Sequence, residues 1–417
     1  MQKNDNHSGL SMSADTLSAS LRHKLALFAV AAAFVVIGLG AFTRLVDAGL
    51  GCPDWPTCYG HILWPHDEVS TEKANAVFNE TPVEHDKTWP EQVHRLFASL
   101  LGLVSLVIFA LGIRASQDKK LNRTLIALVT VLLASLVTRI VLAAKWDVGA
   151  DPMHDFFDLT IAGIVLVIFA IMAVLGLKRG QSLSAVKLSA FIVGFVILQG
   201  LFGMWTVTLK VWPQVVTLHL LGGFTVVSLF WLLALRLRNN PWRYDAETLQ
   251  GIKRLQAAAA LGLLVVFLQI ALGGWTTSNY AAVACPDFPT CQHQMWPDMD
   301  FKKGFDISQG IGPNYLGGQM ENEARIAIHM SHRIGAIITT AFLVFLFLRL
   351  SAIKQAETTV MGFTLLGVLF LQVGLGLANI IFHFPLSVAV LHNAGGAILL
   401  LTMVTLNYRI ATAKLTP

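Results

Sequence analysis

Thirteen histidines occur in the chain, and four of them recur as pairs: His94 with His219, and His332 with His392. Each pair has one member near the start of an apolar run and the other about one turn inside a later run. An ionisable ring in such a run is costly in lipid and faces the bundle interior with a partner. Two imidazoles on facing helices suit axial ligation of a heme iron. Gly102, Gly203, Gly222 and Gly223 lie nearby, as do Gly335, Gly376, Gly395 and Gly396 in the later pair. They would admit a flat macrocycle or, equally, allow close helix packing in lipid. Of the other histidines, His7 and His23 fall in the N-terminal segment, His61, His66, His85, His154 and His293 in loops, and His383 in a short turn.

Charged groups stand close to these rings. Glu91 precedes His94 by three residues and so shares its helical face. It suits proton chemistry, or acts as a helix-start acid at the positive end of the dipole. The corresponding residue of the second pair is His329, so the two sites are unequal. Arg95 and Arg333 follow their histidines directly. They would anchor heme propionates by charge-assisted hydrogen bonds or snorkel to headgroups. The four cysteines form two matching pairs, Cys52/Cys58 and Cys285/Cys291. Each pair encloses two prolines and belongs to a different half, which favours one disulfide per loop over a shared zinc site. A static role and thiol exchange with a redox partner are both open.

The elements that position these residues are membrane helices. The chain has 417 residues, 55% hydrophobic and only 13% charged, against roughly 25% charged in a soluble domain. Runs of roughly 20 apolar residues give ten candidate spans: 24–45, 91–113, 122–143, 157–178, 187–209, 214–236, 254–276, 326–349, 359–381 and 386–408. Residues 1–23 form an N-terminal segment, 24–236 a first half, 237–253 a linker, 254–408 a second half and 409–417 a tail. The net charge of +5 conceals an asymmetry. Lys and Arg concentrate at one set of loop ends and Asp and Glu at the other. The positive-inside rule then makes both termini and the linker cytoplasmic, with the cysteine loops and histidine pairs near the periplasmic face of a bacterial inner membrane. Nucleic acid binding has no support.

Internal repetition is plain. Cys52-Pro-Asp-Trp-Pro-Thr-Cys58 recurs as Cys285-Pro-Asp-Phe-Pro-Thr-Cys291, and Gly40 to Thr43 as Gly273 to Thr276. His94-Arg95 recurs as His332-Arg333, and Leu198-Gln199, Gly203 and His219 recur at one constant offset as Leu371-Gln372, Gly376 and His392. The expected fold is an all-α polytopic membrane protein of two tandem pseudo-symmetric four-helix bundles, related by an axis along the membrane normal. The hairpin 122–178 has no counterpart in the second half and reads as an insertion.

The ordered motifs Thr43 to Cys58, Glu91-x-x-His94-Arg95, Leu198-Gln-Gly-Leu-Phe-Gly-Met-Trp-Thr206 with His219, His332-Arg333 and His392 resemble the heme A synthase family over nearly the whole chain. The resemblance implies a membrane oxidoreductase that converts the C8 methyl of heme O to the formyl group of heme A for cytochrome oxidase, through successive hydroxylations and loss of water. It implies that His94 and His219 bracket the substrate heme, that Glu91 is the catalytic carboxylate, and that His332 and His392 hold a heme b. The implied partners are a heme O synthase and cytochrome oxidase assembly factors, and homo-oligomerisation is open. Two rival readings are a diheme b electron-transfer cytochrome, against which Glu91 opposite His329 argues, and a parallel-repeat small-molecule transporter, which predicts no heme.

Overall fold

The computed structural model describes residues 14–145 and 184–417. Among these, nine helices are long and apolar enough to cross a membrane, and they are numbered here in chain order. They are α1 (Ala14–Leu45), α2 (His85–Ala115), α3 (Lys119–Lys145), α4 (Ala185–Thr208), α5 (Pro213–Arg238), α6 (Gln256–Ser278), α7 (Asn322–Ser351), α8 (Ala356–Ile381) and α9 (Leu386–Thr412). The protein is therefore an all-α, multi-pass membrane protein. The expected span 157–178, and His154 with it, lie outside the described residues.

Local chemistry explains the ends of these helices. Pro213 opens α5 where an amide hydrogen would be unpaired anyway, and Asn239 closes it in the left-handed conformation with φ 45°. Asp245 caps the short helix Ala246–Arg254 that leads into α6, accepting from the Thr248 N–H.

Packing divides the helices into two groups. In the first half α1 packs on α2 and α5, α2 on α4, and α4 on α5; in the second, α6 packs on α7 and α9, α7 on α8, and α8 on α9. Helix α3 packs on α4 at the outside of its group. The halves meet through α5 with α6, α1 with α9, and α5 with α9. Three large apolar clusters fill the interior of the described residues: one centres on Phe230, Ile192 and Leu188, one on Leu343, Leu346 and Leu365, and one on Leu201, Val193 and Leu125 where α3 meets α4. Full burial of one such side chain is worth about 1.5–3 kcal/mol relative to water. In lipid much of that gain is replaced by close packing.

Polar contacts join the halves at the loop ends. Arg44, at the end of α1, donates to the Thr277 carbonyl at 2.6 Å and lies 4.0 Å from the centre of the Tyr280 ring. Tyr280 in turn donates to Asp47 at 2.6 Å, and burial pushes its phenol above the ordinary value.

Candidate functional site

Helices α2 and α7 begin before their apolar runs. The first turns of α2 are polar, with Thr88, Glu91 and Gln92 buried against the loops. Hydropathy windows miss such a segment because its burial is against protein rather than lipid. His94 therefore lies in the third turn of a helix that starts at His85, not in its first, and His332 lies comparably deep in α7. His219 and His392 sit in the second turns of α5 and α9. His219 and His392 thus sit about one turn inside their helices, as expected, whereas His94 and His332 lie further along theirs.

In the first half the rings of His94 and His219 face each other, with centroids 6.3 Å apart and planes at 90°. A metal–nitrogen bond of about 2 Å on each side, plus the half-width of each ring, comes to about 6 Å. The separation fits one iron between two axial imidazoles. No group of three or more His, Cys, Asp or Glu able to hold a bare ion occurs among the described residues. A donor set of two is what an iron already held in a macrocycle plane requires.

Each of the four rings lies against a glycine of the preceding helix in its bundle. A Cβ on Gly40 would stand 2.9 Å from His94 Cε1; on Gly203, 3.2 Å from His219 Cε1; on Gly273, 3.1 Å from His332 Cε1; and on Gly376, 3.1 Å from His392 Cε1. Gly203 and Gly376 thus make room for the imidazole rings. Gly222, Gly335 and Gly395 do something else, because the space a side chain would need there is filled by Gln199, Gln269 and Gln372.

Those glutamines had no assigned role in the sequence. Gln199 places Nε2 2.9 Å from His219 Nδ1 and also donates to the His219 main-chain carbonyl. Gln269 treats His332 alike, at 3.0 Å to Nδ1 and 2.9 Å to the carbonyl. Gln372 reaches the His392 ring at 3.5 Å. The signal was partly visible, since Gln199 and Gln372 belong to the repeated motif. Gln269 could have been found by placing α6 on α4 and α8, the other helices whose glycines face a histidine ring.

Glu91 is buried, with 6% of its surface exposed, and its Oε1 accepts from Arg95 Nε at 3.0 Å. The remaining donors of Arg95 turn to the cysteine loop: Nη1 to the carbonyls of Asp54 and Thr57, both at 2.8 Å, and Nη2 to that of Cys52 at 3.4 Å. Arg333 repeats this with Thr290 at 2.8 Å and with Cys285 and Asp287, both at 2.9 Å. Its Nε is buried without a partner, because His329 stands where Glu91 stands in the first half. His329 is itself buried, with Nδ1 unpartnered.

Both disulfides form, Cys52–Cys58 with Cα atoms 4.8 Å apart and Cys285–Cys291 at 4.6 Å. Each closes a tight loop ordered by an aspartate. Asp54 accepts from the Thr57 hydroxyl at 2.5 Å and from the N–H groups of Tyr59 and Gly60 at 2.5 and 2.9 Å. Asp287 accepts from the Thr290 hydroxyl and from the N–H groups of Gln292 and His293 at 2.7 and 3.0 Å. Tyr59 packs beneath the first loop, where burial, then the charges of Glu84 and Asp54, push its phenol up to about 12.

Comparison with known proteins gives one family. The profile of COX15-CtaA, described as cytochrome oxidase assembly protein, matches residues 23–142 and 156–404. The protein named heme A synthase in Shewanella oneidensis is 37% identical over 374 residues, covering 90% of this chain and 92% of its own length. A second protein of that name, from Caulobacter vibrioides, is 24% identical over 409 residues, covering 92% of this chain and 94% of itself.

Proposed function

The chain belongs to the cytochrome oxidase assembly family COX15-CtaA, with the heme A synthases, and from that premise we propose that its two halves divide the labour of converting heme O to heme A. It is an oxidoreductase of the membrane that acts on heme. The first half takes heme O between His94 and His219 and presents its C8 methyl for oxidation to the formyl group. The second half holds a resident heme b between His332 and His392. The observation that carries this reading is the pair of facing rings 6.3 Å apart with the Glu91–Arg95 ion pair one helical turn away on α2. The sites open toward the periplasmic face of the inner membrane, with both termini cytoplasmic.

The residues would work as follows. His94 and His219 would fix the plane and position of the substrate from α2 and α5, with Gly40 of α1 and Gly203 of α4 leaving room for their rings. Oε1 of Glu91 is committed to Arg95, which leaves Oε2 to accept a proton as the methyl is oxidised. The carboxylate also places negative charge, preorganised by the ion pair, where positive charge develops beside the ring. Arg95 holds Glu91 on one side and the Cys52–Cys58 loop on the other, so the loop closes the outer end of the site. In the second half the orphaned Nε of Arg333 suits a propionate of heme b. Heme b, when bound, supplies one-electron transfer.

Pigment extraction tests the division. Purified protein is expected to yield heme b together with heme O or A. His94→Ala and His219→Ala should remove the heme O and A fraction, and His332→Ala and His392→Ala the heme b fraction. Heme b alone in the unaltered protein would instead indicate a diheme cytochrome.

A further inference from the structure

The outer loop of the second half does not stay over its own half. It leaves at Gly304, whose carbonyl accepts from Trp275 Nε1 at 2.8 Å, and runs onto the start of α5 in the first half. There the Ile307 carbonyl accepts from Gln214 Nε2 and the Gln309 carbonyl from Trp212 Nε1, both at 3.0 Å. The Tyr315 N–H donates to the Lys210 carbonyl at 3.1 Å. The segment returns at Gly318, where a Cβ would stand 3.2 Å from the Asn279 carbonyl oxygen, and enters α7 at Asn322. Tyr315 is buried and closes the crossing on itself, its hydroxyl donating to the Gly310 carbonyl at 2.6 Å. Residues 305–318 are thus a strap from one half to the other.

The strap grips the turn between α4 and α5. Lys210 and Val211 form that turn with φ of 50° and 53°, and Val211 is buried, its Cγ1 3.5 Å from where a Cβ on Gly49 of the first outer loop would stand. The repeat contains the same turn without a strap. Carried forward by 173 residues, it is His383 and Phe384, with φ of 56° and 60°. Among the described residues the main-chain hydrogen bonds of that second turn stay within its own hairpin. Phe382 and Leu386 beside it are 65% and 39% exposed, whereas Pro213, the counterpart of Leu386, is buried. The left-handed turn therefore forms unaided, and the strap on the first half serves something other than the turn.

His219 follows Trp212 and Gln214 on α5, about 8–10 Å along a stiff helix. Gln199 and Gly203 hold its ring against α4, so α4 and α5 carry it as one unit, and the strap fixes the outer end of that unit. His94 stands on α2, which is held separately through Arg95 to the first cysteine loop. We propose that the second-half strap positions the first-half substrate site: it keeps the His219 ring in register with His94 between turnovers, with Trp212 and Gln214 as positioning residues. This rests on the reading that His94 and His219 bracket heme O while His332 and His392 hold a resident heme b. A resident iron ties its own two helices together, so the second hairpin needs no strap. A site emptied at every turnover has its affinity reduced by the fraction of conformers ready to bind, and preorganisation raises that fraction.

Heme O is the probe, titrated into full-length protein purified with heme b alone, and heme A formation is then followed as a function of heme O. Trp212→Phe combined with Gln214→Leu removes two donors and keeps their bulk, and Tyr315→Ala loosens the strap from the second-half side. Each should weaken heme O binding and raise KM by about 5–30-fold, the range for losing one or two hydrogen bonds. The value of kcat at saturation should stay within about twofold, and the heme b spectrum and content should not change. Unchanged heme O affinity in both variants overturns the proposal. A parallel loss of heme b also overturns it, because the strap would then be a general clasp, as does a fall in kcat with KM unchanged. If the unaltered protein takes up no second heme, the reading of the two sites fails instead.

Discussion

One turn before His94 in α2, Glu91 Oε1 accepts from Arg95; at the same place in α7, His329 is buried and Arg333 Nε has no acceptor. Around this difference almost everything else is shared. Both arginines hold the carbonyls of a cysteine loop, both loops carry a cis peptide before the proline that follows the aromatic residue, and both histidines rest on a wall glycine. The second difference falls beside the same ring, where Val36 and Phe97 stand in the places that Gln269 and Gly335 take at His332. Duplication supplied two matching histidine cradles, and the substitutions that make them unequal cluster beside the first-half ring.

The largest expected effect breaks the comparison at its carboxylate. Glu91→Gln keeps the size and the hydrogen bond to Arg95 but removes the charge and the proton acceptor. Heme A formation should fall by about 10²–10⁴-fold, the usual range for a general acid–base group, with heme b content unchanged. His329→Gln should leave formation within a few-fold of normal. Comparable losses from the two variants at equal protein level would show that the halves are not divided as proposed.

A smaller effect is expected from the loops. Closing so short a segment is worth about 2 kcal/mol by chain entropy, so Cys52→Ser/Cys58→Ser and Cys285→Ser/Cys291→Ser should lower thermal stability alike. Their effect on heme A should differ. Cys52 and Asp54 give their carbonyls to Arg95, which also holds Glu91, whereas the second loop holds an arginine beside His329. The first double variant should lose several times more activity than the second. Equal losses at equal stability would mean that the loops act only as clasps.

Much of this was legible in the sequence because duplication writes the same residue twice. The four paired histidines, both disulfides and the contrast between Glu91 and His329 follow from setting one half on the other. The depth of His94 and His332 was not legible, since the first turns of α2 and α7 are polar and their burial comes from loops that no hydropathy window includes. The glycines were ambiguous for a related reason. Gly203 and Gly222 look alike in sequence, yet one faces an imidazole and the other seats a glutamine from a neighbouring helix. Only side-chain placement separates them. Arg95 and Arg333, read as propionate partners, direct most of their donors to loop carbonyls that lie far from them in sequence.

The smallest expected effect separates the two loop aspartates. Asp54 is buried, with 7% exposed, while Asp287 is half-buried and in contact with water. The Thr290 hydroxyl, then the N–H groups of His293 and Gln292, hold the Asp287 carboxyl below the ordinary carboxylate range. A depressed folded-state value contributes stability that is present above the unfolded value of about 3.9 and is lost as pH falls through the folded one. The second loop should therefore loosen only below about pH 4. Near the surface such a contribution is at most about 1 kcal/mol. The rate at which an acid-tolerant phosphine reduces Cys285–Cys291 should accordingly rise no more than about fivefold across that window. Asp287→Asn should flatten the pH profile at the faster rate, since the amide keeps one acceptor and cannot titrate. Asp54→Asn acts where water does not compensate and where Arg95 is anchored, so it should disturb Glu91 and lower heme A formation at neutral pH. A matching loss from Asp287→Asn would place the second loop in the chemistry too.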